Sequence, residues 1–272
     1  MQRLGLHAGM VLTIGVAVAG PAIGEEPSPP AADEPATPRL VVVDPELDAT
    51  LERIEASADD LETLEAVIVY DIENDLTGDV QRRTGRFVYV KGDGPAQMAI
   101  DFDQRIVDGN RARGIDTRYV FDGESWVEID GDEKRWTRYP EAQGQSGDPV
   151  TELLQLDFDK EELTKRYVVE RRVAEDAGPD DPVTLRLRPR DRASAEFDYV
   201  DVTFDESLTP ATVEAHDFDG GKVTRVRLLR TERNAESADT SALDTTPPTE
   251  PGWAIEDRSA GGQSATADSS KP

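Results

Sequence analysis

The stretch from Tyr119 to Pro140, YVFDGESWVEIDGDEKRWTRYP, constrains the fold more than any other part of the chain. Asp122-Gly123 and Asp130-Gly131 separate three runs in which apolar and polar residues alternate. Asp-Gly between alternating runs is typical of tight hairpin turns, because these turns need positive φ at their centre. The pattern therefore predicts three short antiparallel strands joined by two tight turns.

Alternation with a period of two recurs on both sides of this stretch and predicts a larger antiparallel sheet. Arg186 and Arg188 alternate with Leu185 and Leu187, so one face of the sheet is expected to be apolar and the other charged. These arginines either pair with acidic neighbours such as Glu214 or form an anion site, and cross-strand pairing is the more common arrangement. The predicted strands are residues 67–72, 84–91, 97–107, 113–121, 167–174, 183–190, 197–204, 211–216 and 222–229.

Two helical segments accompany the predicted strands. The first begins at Asp44-Pro45, because Asp44 can cap a helix and Pro45 suits its first turn. Its apolar stripe consists of Leu47, Leu51, Ile54, Ala58 and Leu61. The second segment opens at Asp148-Pro149 and is expected to close over the apolar face of the sheet. Its apolar residues are Leu153, Leu154, Leu156, Phe158 and Leu163.

The two ends of the chain differ in composition from its middle. Residues 1–24 are typical of a secretory signal, with Arg3 before an apolar core at Met10–Ala19 and small residues before Glu25. Cleavage before Glu25 is the expectation, and an uncleaved anchor is the alternative. Residues 25–43 are rich in Pro, Ala and Glu and are predicted to form a linker. Residues 257–272 are predicted to be a disordered tail.

Charge and cysteine content exclude several classes of function. The chain has 30 Lys and Arg against 57 Asp and Glu, a formal charge of −27. This argues against nucleic acid and against anionic membrane surfaces as partners, since both need a basic footprint. The absence of cysteine excludes disulfides, thiolate zinc sites and cysteine nucleophiles, and it excludes a lipid-bearing N-terminal cysteine. A cysteine-free exported chain is compatible with a bacterial periplasm.

The residues that carry enzyme chemistry are sparse. His7 and His216 are the only histidines, and only His216 remains after the expected cleavage. No phosphate loop or serine elbow is present, so the chain is not expected to be an enzyme or to bind a cofactor. Acidic runs occur at Asp71–Asp75 and Asp130–Asp132, but neither has the spacing of a calcium loop. No metal site is therefore predicted.

Aromatic residues concentrate in the first half of the predicted sheet and suggest a different kind of site. Together with the helical insertion, they can line a concave apolar pocket, the usual form of a small-ligand site. An acyl chain gains roughly 0.8 kcal/mol per buried CH₂ and needs no charged contact. Plain core packing is the alternative for each residue. The candidate lining residues are Phe87, Tyr89, Ile100, Phe102, Tyr119, Phe121, Trp126, Trp136, Leu153 and Leu154.

The order of these motifs resembles the LolA-like family, the periplasmic carriers of outer-membrane lipoproteins, over residues 44–256. The chain departs from the family where Lys91-Gly92-Asp93-Gly94-Pro95 stands, because the family has a latching Arg beside this Pro. The matching segments are the strand Thr84–Lys91, the hairpin Val120–Trp126, the insertion Asp148–Leu154, the late hairpin Val213–Val223 and the final strand Pro251–Ile255.

This resemblance implies an α+β fold, a curved antiparallel half-barrel (LolA/LolB-like) with helices covering its concave side. It also implies a periplasmic, non-catalytic carrier that binds a lipid or lipoprotein acyl group and shuttles it toward the outer membrane. Inner-membrane donor and outer-membrane acceptor proteins are its expected partners, and a monomer is its expected state. The alternative is a non-catalytic interaction or structural module of the envelope whose cavity is filled by its own side chains.

Overall fold

The computed structural model describes residues 45–258 apart from 75, 93–94, 112–115, 141–155, 157, 173–181, 194, 196 and 236–237. The predicted signal segment, the linker and most of the helical insertion lie outside the described residues, as do residues 259–272. None of the helices in the described part of the chain is long and apolar enough to span a membrane.

The described residues form helices and strands in the order expected of an α+β chain. The helices are α1 (Pro45–Asp59), α2 (Lys160–Arg166) and a 3₁₀ helix (Thr240–Leu243). The strands are β1 (Thr63–Asn74), β2 (Asp79–Val90), β3 (Gln97–Val107), β4 (Asn110–Arg111), β5 (Thr117–Phe121), β6 (Ser125–Asp130), β7 (Arg135–Pro140), β8 (Tyr167–Arg172), β9 (Val183–Pro189), β10 (Tyr199–Phe204), β11 (Pro210–His216), β12 (Lys222–Arg233) and β13 (Ala254–Asp257).

All of these strands join one open, curved sheet. Its order is β13-β7-β6-β5-β3-β2-β1-β12-β11-β10-β9-β8, and β4 pairs with β3. The β13–β7 pair is parallel, and the other pairs among the described strands are antiparallel. The large antiparallel sheet predicted from alternation is therefore confirmed.

The two hairpins predicted at Tyr119–Pro140 are present as β5-β6-β7. Gly123 has φ +94° in the first turn, where the Asp122 carboxylate accepts hydrogen bonds from the amides of Glu124 and Ser125. The second turn spans residues 131–134, and its positive φ of 51° falls on Lys134 rather than on Gly131.

A β-bulge interrupts the pairing of β2 with β3. The register shifts between Thr84 and Gly85. A Cβ at Gly85 would lie 2.0 Å from the backbone oxygen of Asp101, so only glycine fits this close approach.

The apolar residues of the sheet form a main cluster on one face. It receives Leu51 and Ile54 from α1 and Leu163 from α2. The fully buried members include Leu64, Ile68, Phe87, Val200, Val202 and Phe204. Adjacent residues of a strand point to opposite faces, so Phe87 enters this cluster while Val88 does not.

A second cluster lies on the opposite face of the first half of the sheet. Its buried members are Val88, Ala99, Val120, Val127, Trp136 and Ala242. Residues 238–258, here called the C-terminal strap, cover it: Leu243 and Trp253 pack against it, and Trp136 Nε1 donates to the Thr245 carbonyl at 3.2 Å. The strap then adds β13 beside β7, and the Arg258 amide donates to the Arg138 carbonyl.

The predicted arginine stripe pairs with acidic residues on the face away from the main cluster. Arg186 makes two hydrogen bonds to Asp201, at 2.6 and 2.7 Å, and Arg225 binds Glu214. Hydrogen bonding to Asp201 is the main cause that raises the pKa of Arg186. The pairing interpretation is thus confirmed for Arg186, and the predicted acidic neighbour Glu214 binds a further arginine, Arg225.

Candidate functional site: a cleft between α1 and the end of β2

A cleft of about 350 Å³ opens between the C-terminal half of α1, the end of β2 and the residues that enter α2. This volume lies at the lower end of the roughly 300–1,000 Å³ typical of small-ligand sites. The lining residues are Glu55, Ala58, Asp59, Tyr89, Lys91, Ala96, Leu156, Phe158 and Asp159.

The lining residues differ in their exposure to solvent. Tyr89, Leu156 and Phe158 are 4%, 2% and 6% exposed and belong to the main cluster. The Phe158 ring packs edge-on against Phe204, with centroids 5.4 Å apart. By contrast, Asp59 and Asp159 are exposed. The cleft therefore has an apolar inner wall that continues into the core and a charged outer rim, an arrangement suited to an amphiphile.

Polar contacts between α1 and α2 position the rim of the cleft. Asp159 caps α2, accepting a hydrogen bond from the Glu162 amide at 2.7 Å. The Lys160 amide donates to the Glu55 carboxylate at 3.1 Å. The Lys160 ammonium binds the carboxylates of Asp48 and Glu52 on α1, and these two hydrogen bonds raise its pKa. The two helices thus meet mainly through charged groups beside the cleft.

Lys91 bridges the cleft entrance from the other side. Its ammonium donates to the Asp59 carbonyl at 3.0 Å, near the end of α1, and lies 3.8 Å from the Asp59 carboxylate. The Lys91 amide donates to the Glu62 carbonyl at 2.7 Å, which holds this end of the strand beside the chain that leaves α1. A cation is favoured at this point, because the C-terminal end of a helix carries partial negative charge.

Leu156 on the inner wall has an unusual backbone conformation. Its φ is 59°, in the left-handed region that L-residues other than Asn and Asp seldom occupy, while its side chain is buried. Such a conformation costs of order 1–2 kcal/mol per residue and persists when the surroundings impose it. Burial of the leucine in the main cluster is the compensating contact visible here.

The structure brings most of the predicted pocket residues together, but it packs them against one another. Tyr119 is half-buried and packs against the main cluster. Trp136 does not join them, because it lies in the second cluster on the opposite face. Leu153 and Leu154 lie outside the described residues. The predicted residues buried in the main cluster are Phe87, Tyr89, Ile100, Phe102, Phe121 and Trp126.

Of the eight predicted residues that the structure describes, only Tyr89 lines the cleft. Ala58 belongs to the apolar stripe predicted for the first helix. Leu156 and Phe158 belong to the apolar residues predicted for the helical insertion. Sequence analysis missed the charged rim of Glu55, Asp59 and Asp159. Asp159 before Lys160 has the pattern of a helix cap, but the pattern does not show which cavity the cap borders.

Other polar features lie away from the cleft. His216 stacks on Tyr199, with ring centroids 4.3 Å apart, and its Nε2 is 2.9 Å from the Glu214 carboxylate on the charged face. A groove of about 540 Å³ lies near the β2–β3 bulge, lined by Arg86, Arg230 and several carboxylates. The described residues contain no group of three or more His, Cys, Asp or Glu side chains arranged to hold a metal.

These features define an α+β protein built on one open, curved antiparallel sheet with an amphipathic cleft at one end of its core. Residues 116–241 match the family model described as outer membrane lipoprotein carrier protein LolA. This match covers β5 to β12 and confirms, for that part of the chain, the LolA-like resemblance predicted from sequence. No curated protein matches the chain by sequence.

Solved structures give more distant similarities. An uncharacterized conserved protein from Thermus thermophilus is 9% identical, with 78% of this chain and 99% of that chain covered and a TM-score of 0.47. The MucA/MucB complex of Pseudomonas aeruginosa is 15% identical, and the match covers 71% of this chain and 59% of that chain with a TM-score of 0.42. A LolA superfamily protein from Nitrosomonas europaea is 12% identical, and the match covers 71% of this chain and 97% of that chain with a TM-score of 0.34.

Proposed function

We propose that this protein is an exported, non-catalytic carrier that binds one acyl chain of a lipid or lipoprotein in the cleft between α1 and the end of β2. The single observation that supports this function is the composition of the cleft. Its inner wall of Tyr89, Leu156 and Phe158 is buried, whereas its rim is charged. An acyl chain can extend along the apolar wall while its polar end stays at the rim.

The proposed site includes a cover. Leu51 and Ile54 of α1 pack onto the main cluster, and we assign α1 and α2 the role of helices that cover the concave side. The predicted pocket residues fill the space between the sheet and these helices. A long acyl chain must therefore displace side chains such as Phe158 as it enters. Each buried CH₂ contributes roughly 0.8 kcal/mol, so a dodecyl chain can drive this rearrangement.

The cellular setting is part of the same proposal. The segment 1–24 directs the chain to the periplasm, where it receives cargo from an inner-membrane donor and delivers it to an outer-membrane acceptor as a monomer. The family match to a lipoprotein carrier supports this setting. The absence of catalysis is supported by the same match and by the position of His216, which lies beside Glu214 on the charged face and does not line the cleft.

A second candidate function is a non-catalytic interaction or structural module of the envelope. One observation favours it: Phe87 and Trp126 are 0% and 3% exposed, so the protein's own aromatic side chains occupy the space that cargo would need. The two functions differ in whether the main cluster opens to admit a ligand.

A matched pair of variants tests the carrier function. Ala58 lines the cleft, whereas Ala56 is exposed on the same helix and does not. Dodecyl phosphocholine, below its micelle concentration, is titrated into wild type, Ala58→Trp and Ala56→Trp by calorimetry. We expect binding to wild type and Ala56→Trp and its loss in Ala58→Trp, because the added indole fills the cleft. If wild type binds none, or if both variants bind equally well, the cleft is not the site and the module is the better description.

A further inference from the structure

We infer that the cleft selects its ligand by head-group charge, taking amphiphiles with a cationic head in preference to zwitterionic ones and rejecting anionic ones. This inference rests on the proposed function, since it names the ligand class of the same cleft. It follows from the charges at the rim and from the way in which each of them is bonded.

The charged residues that line the cleft are mostly acidic. Glu55, Asp59 and Asp159 contribute three carboxylates, and Lys91 contributes one ammonium. For the described lining residues, the sum at neutral pH is 1 − 3 = −2. A head group held at this rim therefore lies in a field that attracts a cation and repels a carboxylate or phosphate monoester.

The hydrogen bonds at the rim do not neutralise these carboxylates. Glu55 accepts from the backbone amide of Lys160, and Asp159 accepts from the backbone amide of Glu162. An amide is an uncharged donor, so both side chains keep their full negative charge. These bonds also hold each carboxylate in one orientation. A cation that binds there orders the side chains less, so the entropic cost of binding is smaller.

The two lysines beside the cleft, Lys91 and Lys160, are already engaged. The Lys160 ammonium binds two carboxylates, Asp48 and Glu52, so this part of α1 remains net acidic. The Lys91 ammonium donates to the Asp59 carbonyl near the end of α1, where the helix carries partial negative charge. Neither lysine is placed to receive an anionic head group without first losing these bonds.

Three ligands of equal chain length separate head-group charge from acyl binding: dodecyltrimethylammonium, dodecyl phosphocholine and dodecanoate. Each is titrated into the full chain by calorimetry, below its micelle concentration, at low salt and again at high salt. We expect dodecyltrimethylammonium to bind most tightly and dodecanoate at least about tenfold more weakly, with a gap that narrows as salt screens the exposed charges.

Isosteric variants test whether the rim causes this order. Glu55→Gln with Asp159→Asn removes two charges but keeps both hydrogen-bond acceptors, and Asn remains a good helix cap. We expect the ratio of the affinity for dodecyltrimethylammonium to the affinity for dodecanoate to fall several-fold toward one. The control, Glu124→Gln with Glu206→Gln, removes two exposed charges from turns outside the cleft and should leave the ratio unchanged. Asp59→Asn, at the exposed end of α1, is a second rim variant should the double variant fold poorly.

The outcomes are distinct. If dodecanoate binds wild type as tightly as dodecyltrimethylammonium does, or if the control pair changes the ratio as much as the rim pair, the inference is wrong while the carrier function stands. If none of the three ligands binds, the proposed function fails and this inference fails with it. A ratio that changes only in the rim variants and narrows with salt supports the inference.

Discussion

The Lys91 ammonium donates a hydrogen bond to the Asp59 carbonyl at 3.0 Å and thereby connects the end of β2 to the end of α1 across the entrance of the cleft. By the resemblance predicted from sequence, Lys91 is the cation nearest to the position expected to hold a latching Arg. A lysine ammonium is a point charge, whereas an arginine guanidinium is planar and presents several donors. Lys91 therefore contacts Asp59 through one hydrogen bond and a weaker ionic contact at 3.8 Å.

The first prediction is that Lys91→Met accelerates ligand exchange. Removing the ammonium releases the end of α1 from β2, so both association and dissociation of dodecyl phosphocholine should be several-fold faster in stopped-flow fluorescence. Stability should fall by no more than about 1 kcal/mol, since the pair is partly exposed. Lys91→Arg, which can still donate to the carbonyl, serves as the control; equal rates in wild type and Lys91→Met would show that the contact does not restrain the entrance.

The second prediction separates the two buried tryptophans. Trp126 belongs to the main cluster, and Trp136 to the second cluster on the opposite face. A bound acyl chain should therefore change the fluorescence of Trp126. We expect the ligand-induced change to be lost in Trp126→Phe and retained in Trp136→Phe. The opposite result would place the ligand under the C-terminal strap.

The third prediction concerns the strap itself. A chain that ends at Asp239 lacks the 3₁₀ helix and β13, so the second cluster, including Trp136, becomes exposed. We expect the free energy of unfolding to fall by about 3 kcal/mol and binding of an apolar dye to increase. A chain that ends at Arg258 keeps every described residue of the strap and should melt like the full chain. Equal stability of both truncated chains would contradict a structural role for the strap.

The fourth prediction follows from the ionisation of Asp239. Its hydrogen bond to Arg86, together with that to Ser241, lowers the pKa of this carboxyl from 3.8 to about 2. Because the folded pKa lies below the unfolded one, the stabilisation is fully present above about pH 4 and is lost as the pH falls through 2. The Ser241 amide, which donates to Asp239 at 3.1 Å, should report this titration by NMR.

Asp239→Asn should remove that titration while retaining the cap of the 3₁₀ helix. Glu206→Gln, in the β10–β11 turn, is the control and should leave the Ser241 signal unchanged. A midpoint for the Ser241 signal near pH 4 in wild type would mean that Arg86 does not hold the carboxylate in solution.

The fifth prediction concerns the bulge. Gly85→Ala would place a Cβ 2.0 Å from the Asp101 backbone oxygen, so the β2–β3 pair must shift. We expect a loss of about 1–3 kcal/mol in chemical denaturation. Gly221→Ala is the matched control: its Cβ would meet the side chains of Asp219 and Leu76 at 3.2 Å, and these can move. Similar losses in both variants would argue against a special requirement at Gly85.

The strands could be predicted wherever alternation continues along their whole length. Predicted residues 97–107 coincide with β3. By contrast, β1 and β12 extend beyond their predictions, because their ends pair with each other, Leu64 with Arg233 and Glu65 with Glu232. Local alternation contains no information on a partner that lies more than 150 residues away, so these ends could not be read from the sequence.

The site was less predictable than the sheet. Alternation around Trp136 shows that its neighbours point the other way, but it does not show which face is covered by which segment. The strap that buries Trp136 lies more than 100 residues further along the chain. The rim of the cleft likewise depends on the packing of α1 against β2 and α2. The charged rim residues come from separate parts of the chain, so no local pattern in the sequence predicts that they lie together.

The short strand β13 has a consequence for solubility. An open sheet presents unpaired backbone groups at its edges, where strands of other molecules can add. On one side the strap occupies the edge of β7 and leaves a strand of only four residues that ends in Glu256 and Asp257. On the other side β8 ends in Glu170, Arg171 and Arg172. Both margins of the sheet, as far as the described residues define them, are thus poor templates for the addition of a strand from another molecule.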